Sequence, residues 1–227
     1  MNSTAVWRFN RAEKLGQKPA SLPLVGSWPA RSLRSLAVST LAEPNEMAKE
    51  TTEMVPEADA DYTVIDIGAG EGRDAVFFAE QGWEVYAMDV SPSGLAKAEQ
   101  LAASRDVTIH PIEADANDGT LPGSIDVVYS AGAIQYIRPD NREARFSHFK
   151  AQTSTDGIHA LFAFVDHPDI PTPPDWTENE YFYQPGELAG YYDEWEILQV
   201  DEIVFDDDSG SEPHQHAAEI LFTRNPT

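Results

Sequence analysis

The stretch Val64–Ala75 reads VIDIGAGEGRDA and decides the fold class of this 227-residue chain. An apolar, β-branched run meets three glycines at alternate positions, Gly68, Gly70 and Gly72, and a helical pattern begins at Arg73. Glycines let a chain turn sharply at the end of a strand and let a ligand approach the backbone. The stretch therefore predicts a strand, a ligand-binding turn and a helix, with Gly72 allowing the helix to pack closely on the strand.

Strand and helix patterns alternate around this stretch. The predicted strands are 62–67, 84–90, 107–112, 125–130 and 159–165, and the predicted helices are 44–54, 73–81, 142–152 and one that begins at Pro92 with Ser91 as its N-cap. This alternation indicates an α/β fold with a doubly wound, Rossmann-like, mainly parallel sheet. A long segment at 166–184 reads as a lid or binding loop. Two final strands, 195–205 and 216–222, predict an antiparallel C-terminal pair.

Charge divides the chain into two parts. Residues 1–42 carry six basic side chains and one acidic one, whereas the whole chain has a net charge of -24. We expect 1–42 to be a poorly ordered extension, a transit peptide, or sequence upstream of a natural start such as Met47, and 43–227 to be one domain. The acidic field argues against nucleic acid as a partner and is typical of either a halophilic cytoplasm or simply an acidic protein.

Several classes of site and location are not expected from the sequence. The chain has no cysteine, which excludes disulfides and thiolate metal sites. It has no apolar run long enough to span a bilayer and no secretory signal at its start, so we expect a cytoplasmic protein without a membrane partner. The sequence makes no prediction about oligomeric state.

The ligand of the glycine turn follows from the acids around it. Asp89 ends the second predicted strand, where a carboxylate can accept hydrogen bonds from both ribose hydroxyls of an adenosine. The glycine spacing is G-x-G-x-G, whereas dinucleotide sites favour G-x-G-x-x-G. Asp66, Glu71 and Asp74 would repel a pyrophosphate but attract the ammonium and sulfonium of S-adenosylmethionine. These features favour S-adenosylmethionine over a nicotinamide dinucleotide.

Further candidates lie at the ends of the later strands. Asp115 follows the third strand and can accept from an adenine amino group, with a backbone N–H near Ala116 on the ring. Ser130 is a small residue at a strand end, and Tyr136 can close over the sulfonium. The predicted cofactor-binding residues are Asp66, Gly68, Ala69, Gly70, Arg73, Asp89, Val90, Asp115, Ala116, Ser130 and Tyr136.

The run VIDIGAGEGRDAVFFAEQGWEVYAMDVS resembles the first motif of class I S-adenosylmethionine-dependent methyltransferases. Arg73 after the loop, and the later runs PGELAGYYDEWEILQVDE and HQHAAEILFTRNP, are similar to the tellurite-resistance (TehB-like) group. The similarity covers roughly residues 44–226. The resemblance implies methyl transfer to a small acceptor, such as a tellurium or selenium oxyanion or a thiol. It departs from the group where histidines stand in place of basic side chains at the closing strand.

The histidine pair His214 and His216 supplies the candidate catalytic side chains. Alternate residues of a strand share a face, so both imidazoles are expected to point the same way and, at a methyl acceptor, to orient an oxyanion or accept a proton. A polar strand start is an equal alternative. Because no third ligand stands at a readable spacing, we predict no metal site. His110, His148 and His159 are predicted to be structural. A nicotinamide-dependent oxidoreductase and a non-catalytic cofactor-binding protein remain the alternative functions.

Overall fold

The computed structural model describes residues 43–55, 61–174, 176–207 and 212–226. The predicted extension at 1–42 lies outside the described residues. The helices are α1 (Glu46–Met54), α2 (Arg73–Glu80), α3 (Pro92–Ser104), α4 (Pro139–Ala151) and α5 (Glu187–Gly190). The strands are β1 (Thr63–Ile67), β2 (Glu84–Asp89), β3 (His110–Glu113), β4 (Ile125–Ala131), β5 (Thr153–Phe164), β6 (Glu196–Asp207) and β7 (His214–Arg224).

The strands form one seven-stranded sheet in the order β3-β2-β1-β4-β5-β7-β6. The pairs from β3 to β5 are parallel, while β7 lies antiparallel between β5 and β6. The strand order reverses between β1 and β4, so a crevice opens at their carboxyl ends, where open α/β sheets bind ligands. The predicted fold class is confirmed, including the antiparallel C-terminal pair.

Each face of the sheet is covered by its own set of helices. On one face Met47 of α1, Phe78 of α2 and Ala98 of α3 pack on the strands. On the other face Phe146 of α4 and Leu188 of α5 cover the sheet. The sheet is therefore buried on both sides, which explains why its central strands are almost continuously apolar.

Several predicted boundaries were wrong, among them the start of β3, which lies at His110 rather than at residue 107. Helix α1 begins at Glu46 rather than in the turn of Pro44, because the side chain of Asn45 accepts the Met47 N–H and caps the helix there. Helix α4 begins at Pro139, three residues before the predicted start, since proline suits a first helical turn. Strand β5 begins six residues early, at Thr153. The predicted Ser91 cap is confirmed by its bond from the Gly94 N–H.

The segment 166–184 is tied to the domain by the buried Arg142 of α4. Its guanidinium donates to the carbonyl of Tyr181 and to the carboxylate of Glu187, both at 2.8 Å. It also lies 3.6 Å from the ring centre of Tyr183. The Tyr183 N–H in turn donates to the Phe164 carbonyl at the end of β5. The long segment is thus held across the carboxyl end of β5.

Within the described residues, no helix has both the length and the apolar character needed to cross a membrane.

Candidate active site

The glycine turn leaves β1 in a conformation that side chains rarely adopt. Gly68, Gly70 and Gly72 have φ angles of 82°, 55° and 86°. A Cβ on Gly68 would lie 2.1 Å from the Cβ of Ala133, so the turn also approaches the chain beyond β4 too closely for a side chain. Gly72 was predicted to let its helix approach the strand. Instead, a Cβ there would lie 2.5 Å from that of Ala98 in α3, so this glycine brings two helices together.

Asp89 fixes the glycine turn from the end of β2. One carboxylate oxygen accepts the Gly70 N–H and the other accepts the Ser91 N–H, each at 2.8 Å. A carboxylate has about four lone-pair positions, so each oxygen keeps capacity for a further donor. The half-buried Asp89 can therefore hold the turn and still accept from ribose hydroxyls.

A cavity opens beside the turn, above the carboxyl ends of β1 and β4. Its walls combine backbone at the glycine turn with charged side chains from the start of α2. The lining residues are Asp66, Gly68, Ala69, Glu71, Arg73, Asp74 and Ala131. Four of the predicted cofactor residues are therefore brought together at one cavity, and three further residues join them.

The cavity has a buried acidic floor. Burial raises the pKa of Asp66 well above its ordinary value, and the nearby Asp74 raises it further, against the opposing effect of Arg73. Asp74 itself accepts two hydrogen bonds from the Arg73 guanidinium, at 2.9 and 2.7 Å, and one from the Tyr129 hydroxyl at 3.0 Å. The backbone N–H of Asn45 also donates to Asp74, at 2.8 Å. Asp66 is thus the acid of the floor that would gain most from a cationic ligand group.

Two predicted residues present apolar surface at the rim. Within the described ranges, Val90 and Tyr136 are the large apolar side chains that stay exposed. The Tyr136 hydroxyl donates to Glu180 of the long segment at 2.7 Å, and burial together with this bond raises its pKa to about 12. Val90 directly follows the ribose candidate Asp89 in the chain, so it offers an apolar face for a base.

The remaining predicted residues are used by the fold. One Asp115 oxygen accepts from the backbone and side-chain nitrogens of Asn117, which closes a local turn. Ala116 is half-buried and packs on the core. Ser130 is fully buried, and its hydroxyl donates to the Ile67 carbonyl at 2.8 Å, so it links β4 to β1. The structure does not bring the Ser130 side chain to the cavity; Ala131, one residue later, reaches it.

The two imidazoles of the histidine pair share a face, as predicted. Their Nε2 atoms lie 2.9 Å apart, and the Nε2 atom of His216 is 3.5 Å from a carboxylate oxygen of Asp207 on β6. The buried ring of His216 packs against Phe164 and Phe205, with centroids 4.8 and 5.5 Å away. Asp207 thus joins the two histidines as a third polar side chain, which the sequence did not reveal.

A cleft separates the histidines from the long segment. Val165, His167, Pro171 and Phe182 line one wall, and His216 and Ala217 line the other. The strand register places Ala218 of β7 opposite Phe164, at the carboxyl end of β5. The cleft thus lies at the same edge of the sheet as the glycine-turn cavity. Strand β5 separates β4 from β7, so these two strands are roughly 10 Å apart.

The other histidines differ in their roles. His159 is fully buried between the hydroxyls of Thr153 and Tyr192, both at 2.7 Å, and burial lowers its pKa to about 3, so it is a neutral structural group. His148 accepts the Leu121 N–H at 3.5 Å. His110 was expected in the interior of an element but is half exposed on the edge strand β3, because that strand is paired on one side only.

Sequence reasoning missed three contributors. The sequence predicts for Asp74 only the electrostatic role of an acid that repels pyrophosphate and attracts cationic groups, whereas the structure shows that it also joins α1, α2 and β4. Its position in the first turn of α2 was the available signal. Ala131 was one residue beyond the predicted β4. Asp207 stood in an acidic run, and only the register of β6 on β7 selects it from its neighbours.

The cavity suits S-adenosylmethionine on three counts. The buried acids can face its ammonium and sulfonium, Asp89 can accept from its ribose, and the exposed Val90 offers a surface to its adenine. The open backbone at Gly70, where a Cβ would meet nothing within 4 Å, leaves room for a ligand. The same acids at the start of α2 would oppose a pyrophosphate.

Comparison with known proteins agrees with this site. A family model described as "Methyltransferase domain" matches residues 64–157. The chain is 22% identical over 139 residues to the probable S-adenosyl-L-methionine-dependent methyltransferase TehB of Haemophilus influenzae, and 24% identical over 140 residues to Hemagglutinin 1 of Eikenella corrodens. These matches cover 61% and 62% of the chain, respectively. They cover 48% and 46% of the relatives, so the chain matches about half the length of each.

The fold agrees as well. The crystal structure of TehB from Haemophilus influenzae superposes with a TM-score of 0.69 at 17% identity, covering 78% of this chain and 61% of that one. The sheet order, the glycine turn with Asp89 and the family match all point to the same group. Residues 64–157 thus match a methyltransferase domain, and the chain is similar in sequence and in fold to S-adenosylmethionine-dependent methyltransferases of the TehB-like group.

Proposed function

We propose that the protein transfers the methyl group of S-adenosylmethionine to a small-molecule acceptor. The observation that carries the proposal is the cavity at the switch between β1 and β4, which has an acidic floor and is flanked by Asp89. Asp66 and Asp74 would face the charged end of the cofactor, Asp89 its ribose and Val90 its adenine. When bound, the cofactor would supply an electrophilic methyl group on its sulfonium, and the thioether that leaves is neutral.

We infer that the acceptor binds in the cleft beside His216. The cleft opens at the same edge of the sheet as the cofactor cavity, and the long segment 166–184 covers it through Phe182. Cover from this segment would exclude water and hold the acceptor in line with the methyl group, which is the main task of such an enzyme. His216, and with it His214, would orient the acceptor or take its proton.

A soft acceptor suits this arrangement best. A thiolate, or a tellurium or selenium oxyanion, carries its own lone pair and needs no general base, whereas a hydroxyl or amine would need one. The imidazoles of His167 and His216 both line the cleft and can donate to an anion. The carboxylate of Glu202 lies 3.7 Å from the His167 ring.

A labelled-methyl screen tests the proposal directly. The full chain is incubated with S-adenosylmethionine that carries a radiolabelled methyl group and with tellurite, selenite, small thiols, phenols or amines, at low and high KCl. Transfer to a thiol or an oxyanion supports the proposal. Cofactor binding without transfer to any acceptor class would favour the non-catalytic alternative. In a parallel titration, tight binding of NADH but not of S-adenosylmethionine would favour the oxidoreductase.

The acceptor side has its own test. His216→Ala should lower kcat far more than it weakens cofactor binding, because the histidine faces the cleft rather than the glycine turn. His110→Ala, an exposed histidine on the opposite edge strand β3, is the control. A loss of cofactor affinity with kcat unchanged would remove His216 from the acceptor side.

A further inference from the structure

Three side chains converge where β6 ends and β7 begins. The strand register pairs Asp207 with His214 and Phe205 with His216. Directly paired residues share a face of the sheet, and so do alternate residues of one strand. Asp207, His214 and His216 therefore project from the same face. One ligand-type atom from each lies within 4.8 Å of those of the other two.

The spacing of these atoms is that of a metal coordination shell. A tetrahedral ion bound at about 2.1 Å keeps its ligand atoms about 3.4 Å apart. The observed separations are 2.9 Å between the two Nε2 atoms and 3.5 Å between His216 and Asp207. One separation is shorter and the other slightly longer than the distance between ligand atoms in an ideal tetrahedral site. Small movements of the three side chains would therefore complete the coordination shell.

The position of the proton on the His214 ring also suits metal coordination. Its Nδ1 lies 2.8 Å from the backbone carbonyl of Glu212. A carbonyl oxygen only accepts, so Nδ1 carries a proton, and in the neutral ring the Nε2 lone pair points into the cluster. A second ring nitrogen tied to a carbonyl is the usual support of a metal-bound histidine.

The surroundings strengthen the site. Asp207 and His216 are both buried, and the rings of Phe164 and Phe205 pack against His216. A carboxylate among apolar walls attracts a cation more strongly than one in water. His216 also lines the cleft, which leaves one direction open for water or another ligand.

The geometry points to a binding site for a divalent transition-metal ion of the Zn²⁺ class, formed by Asp207, His214 and His216 at the edge of the cleft. Two imidazoles and one carboxylate suit Zn²⁺ or Co²⁺, whereas Mg²⁺ prefers oxygen ligands alone. Three protein ligands with one open position are the pattern of zinc sites that bind a further molecule. The inference concerns ion binding and does not depend on methyl transfer.

Ion binding is measured on the untagged full chain, because a polyhistidine tag would itself bind metal. After treatment with a chelator, the protein is titrated with Zn²⁺ by calorimetry and with Co²⁺ by visible absorption. We expect one Zn²⁺ per chain, the visible bands of four-coordinate Co²⁺, and no comparable binding of Mg²⁺. Failure of both Zn²⁺ and Co²⁺ to bind, or a Co²⁺ spectrum equal to that of the aqueous ion, would overturn the site.

Variants locate the ion. His214→Ala, His216→Ala and Asp207→Asn should each weaken Zn²⁺ binding by roughly 100-fold. His110→Ala, an exposed histidine on the opposite edge of the sheet, should leave it unchanged. Binding that survives His216→Ala in a folded protein would place the ion elsewhere. If that variant does not fold, Asp207→Asn, which keeps the shape of the side chain, decides the matter in the same titration.

Discussion

The carboxylate of Asp89 joins three parts of the cofactor site at the scale of a single residue. It accepts from the turn at Gly70 and from the start of α3 at Ser91, and its remaining lone pairs face the position proposed for the ribose. Removing it leaves two backbone donors and the ligand hydroxyls without their acceptor. An unmet hydrogen bond of this kind costs about 1–3 kcal/mol.

Asp89→Ala should therefore weaken the binding of S-adenosylmethionine by roughly 1–3 kcal/mol, measured by calorimetry. Glu113→Ala is the matched control, because Glu113 is the exposed acid paired with Asp89 on the neighbouring strand. Equal affinities of wild type and Asp89→Ala would mean that Asp89 only supports the turn.

The buried carboxyl of Asp66 lowers the stability of the folded protein but can face a positive charge of the cofactor. Its pKa is raised well above the ordinary value by burial and by Asp74, so the folded protein holds this proton more tightly than the unfolded chain does. The folded state is therefore penalised as pH rises from the ordinary pKa to the folded one, and the full penalty persists above that. Above the ordinary pKa of an aspartate, Asp66 therefore costs stability, and a cationic ligand that favours its ionised form would recover part of it.

Asp66→Asn should raise the Tm of the cofactor-free protein at neutral pH and weaken the binding of S-adenosylmethionine. The gain in Tm should shrink as pH falls through the folded pKa of Asp66, because wild type then carries a neutral side chain too. Thermal melts across a pH series, paired with calorimetry, check both parts. A Tm below wild type at every pH would show that the carboxylate is a net stabiliser.

At the scale of elements, the segment 166–184 depends on Arg142. The guanidinium spans Tyr181, Glu187 and the ring of Tyr183, a geometry that a lysine ammonium cannot reproduce. The residue is 2% exposed, so its contacts form in surroundings where an unmet charge is expensive. Arg142 of α4 is thus a main support of the segment that covers the cleft.

Arg142→Lys should lower the free energy of unfolding by about 2–4 kcal/mol and speed chymotryptic cleavage in the aromatic part of the segment. Urea unfolding and limited proteolysis measure the two effects. Arg138→Lys, an exposed change just before the same helix, is the control. Cleavage at the wild-type rate in Arg142→Lys would show that other contacts hold the segment.

Apolar periodicity predicted the central elements well and the polar ends poorly. Strands β1 and β4 are almost continuously buried and β2 is partly buried, and the bounds of all three were predicted to within one residue. The start of β5 at Thr153 was missed because the residues up to Gly157 are polar and Asp156 has a φ of 62°. Thr153 pairs with Ile125, and the register shifts before Val127. Neither feature can be recognised from the sequence.

The contacts within the candidate site also differ in whether the sequence predicts them. The glycine turn and Asp89 are close in sequence, so spacing alone predicted their meeting. Asp207 joins the histidines only because β6 and β7 pair in one particular register, which depends on packing along both strands. The sequence therefore predicted the contact within one strand–helix–strand unit. It did not predict the contact that depends on how two strands pair.

At the scale of the whole molecule, charge is the dominant feature. The chain carries 39 acidic and 15 basic side chains, for a net charge of -24. Like charges spread over one domain repel one another and oppose the compact state. The Debye length falls from about 10 Å at 0.1 M salt to about 3 Å at 1 M, so salt should remove much of this repulsion.

Raising KCl from about 0.1 M to about 2 M at pH 8 should increase Tm by several degrees, because screening relieves the repulsion in the folded state more than in the expanded one. Chloride is used in place of sulfate, which stabilises proteins by exclusion from their surface. The same titration near pH 4.3 is the internal control, since the sequence pI is about 4.3 and little net charge is left to screen there. A Tm that falls with KCl at pH 8, or that rises equally at both pH values, would contradict a screening effect.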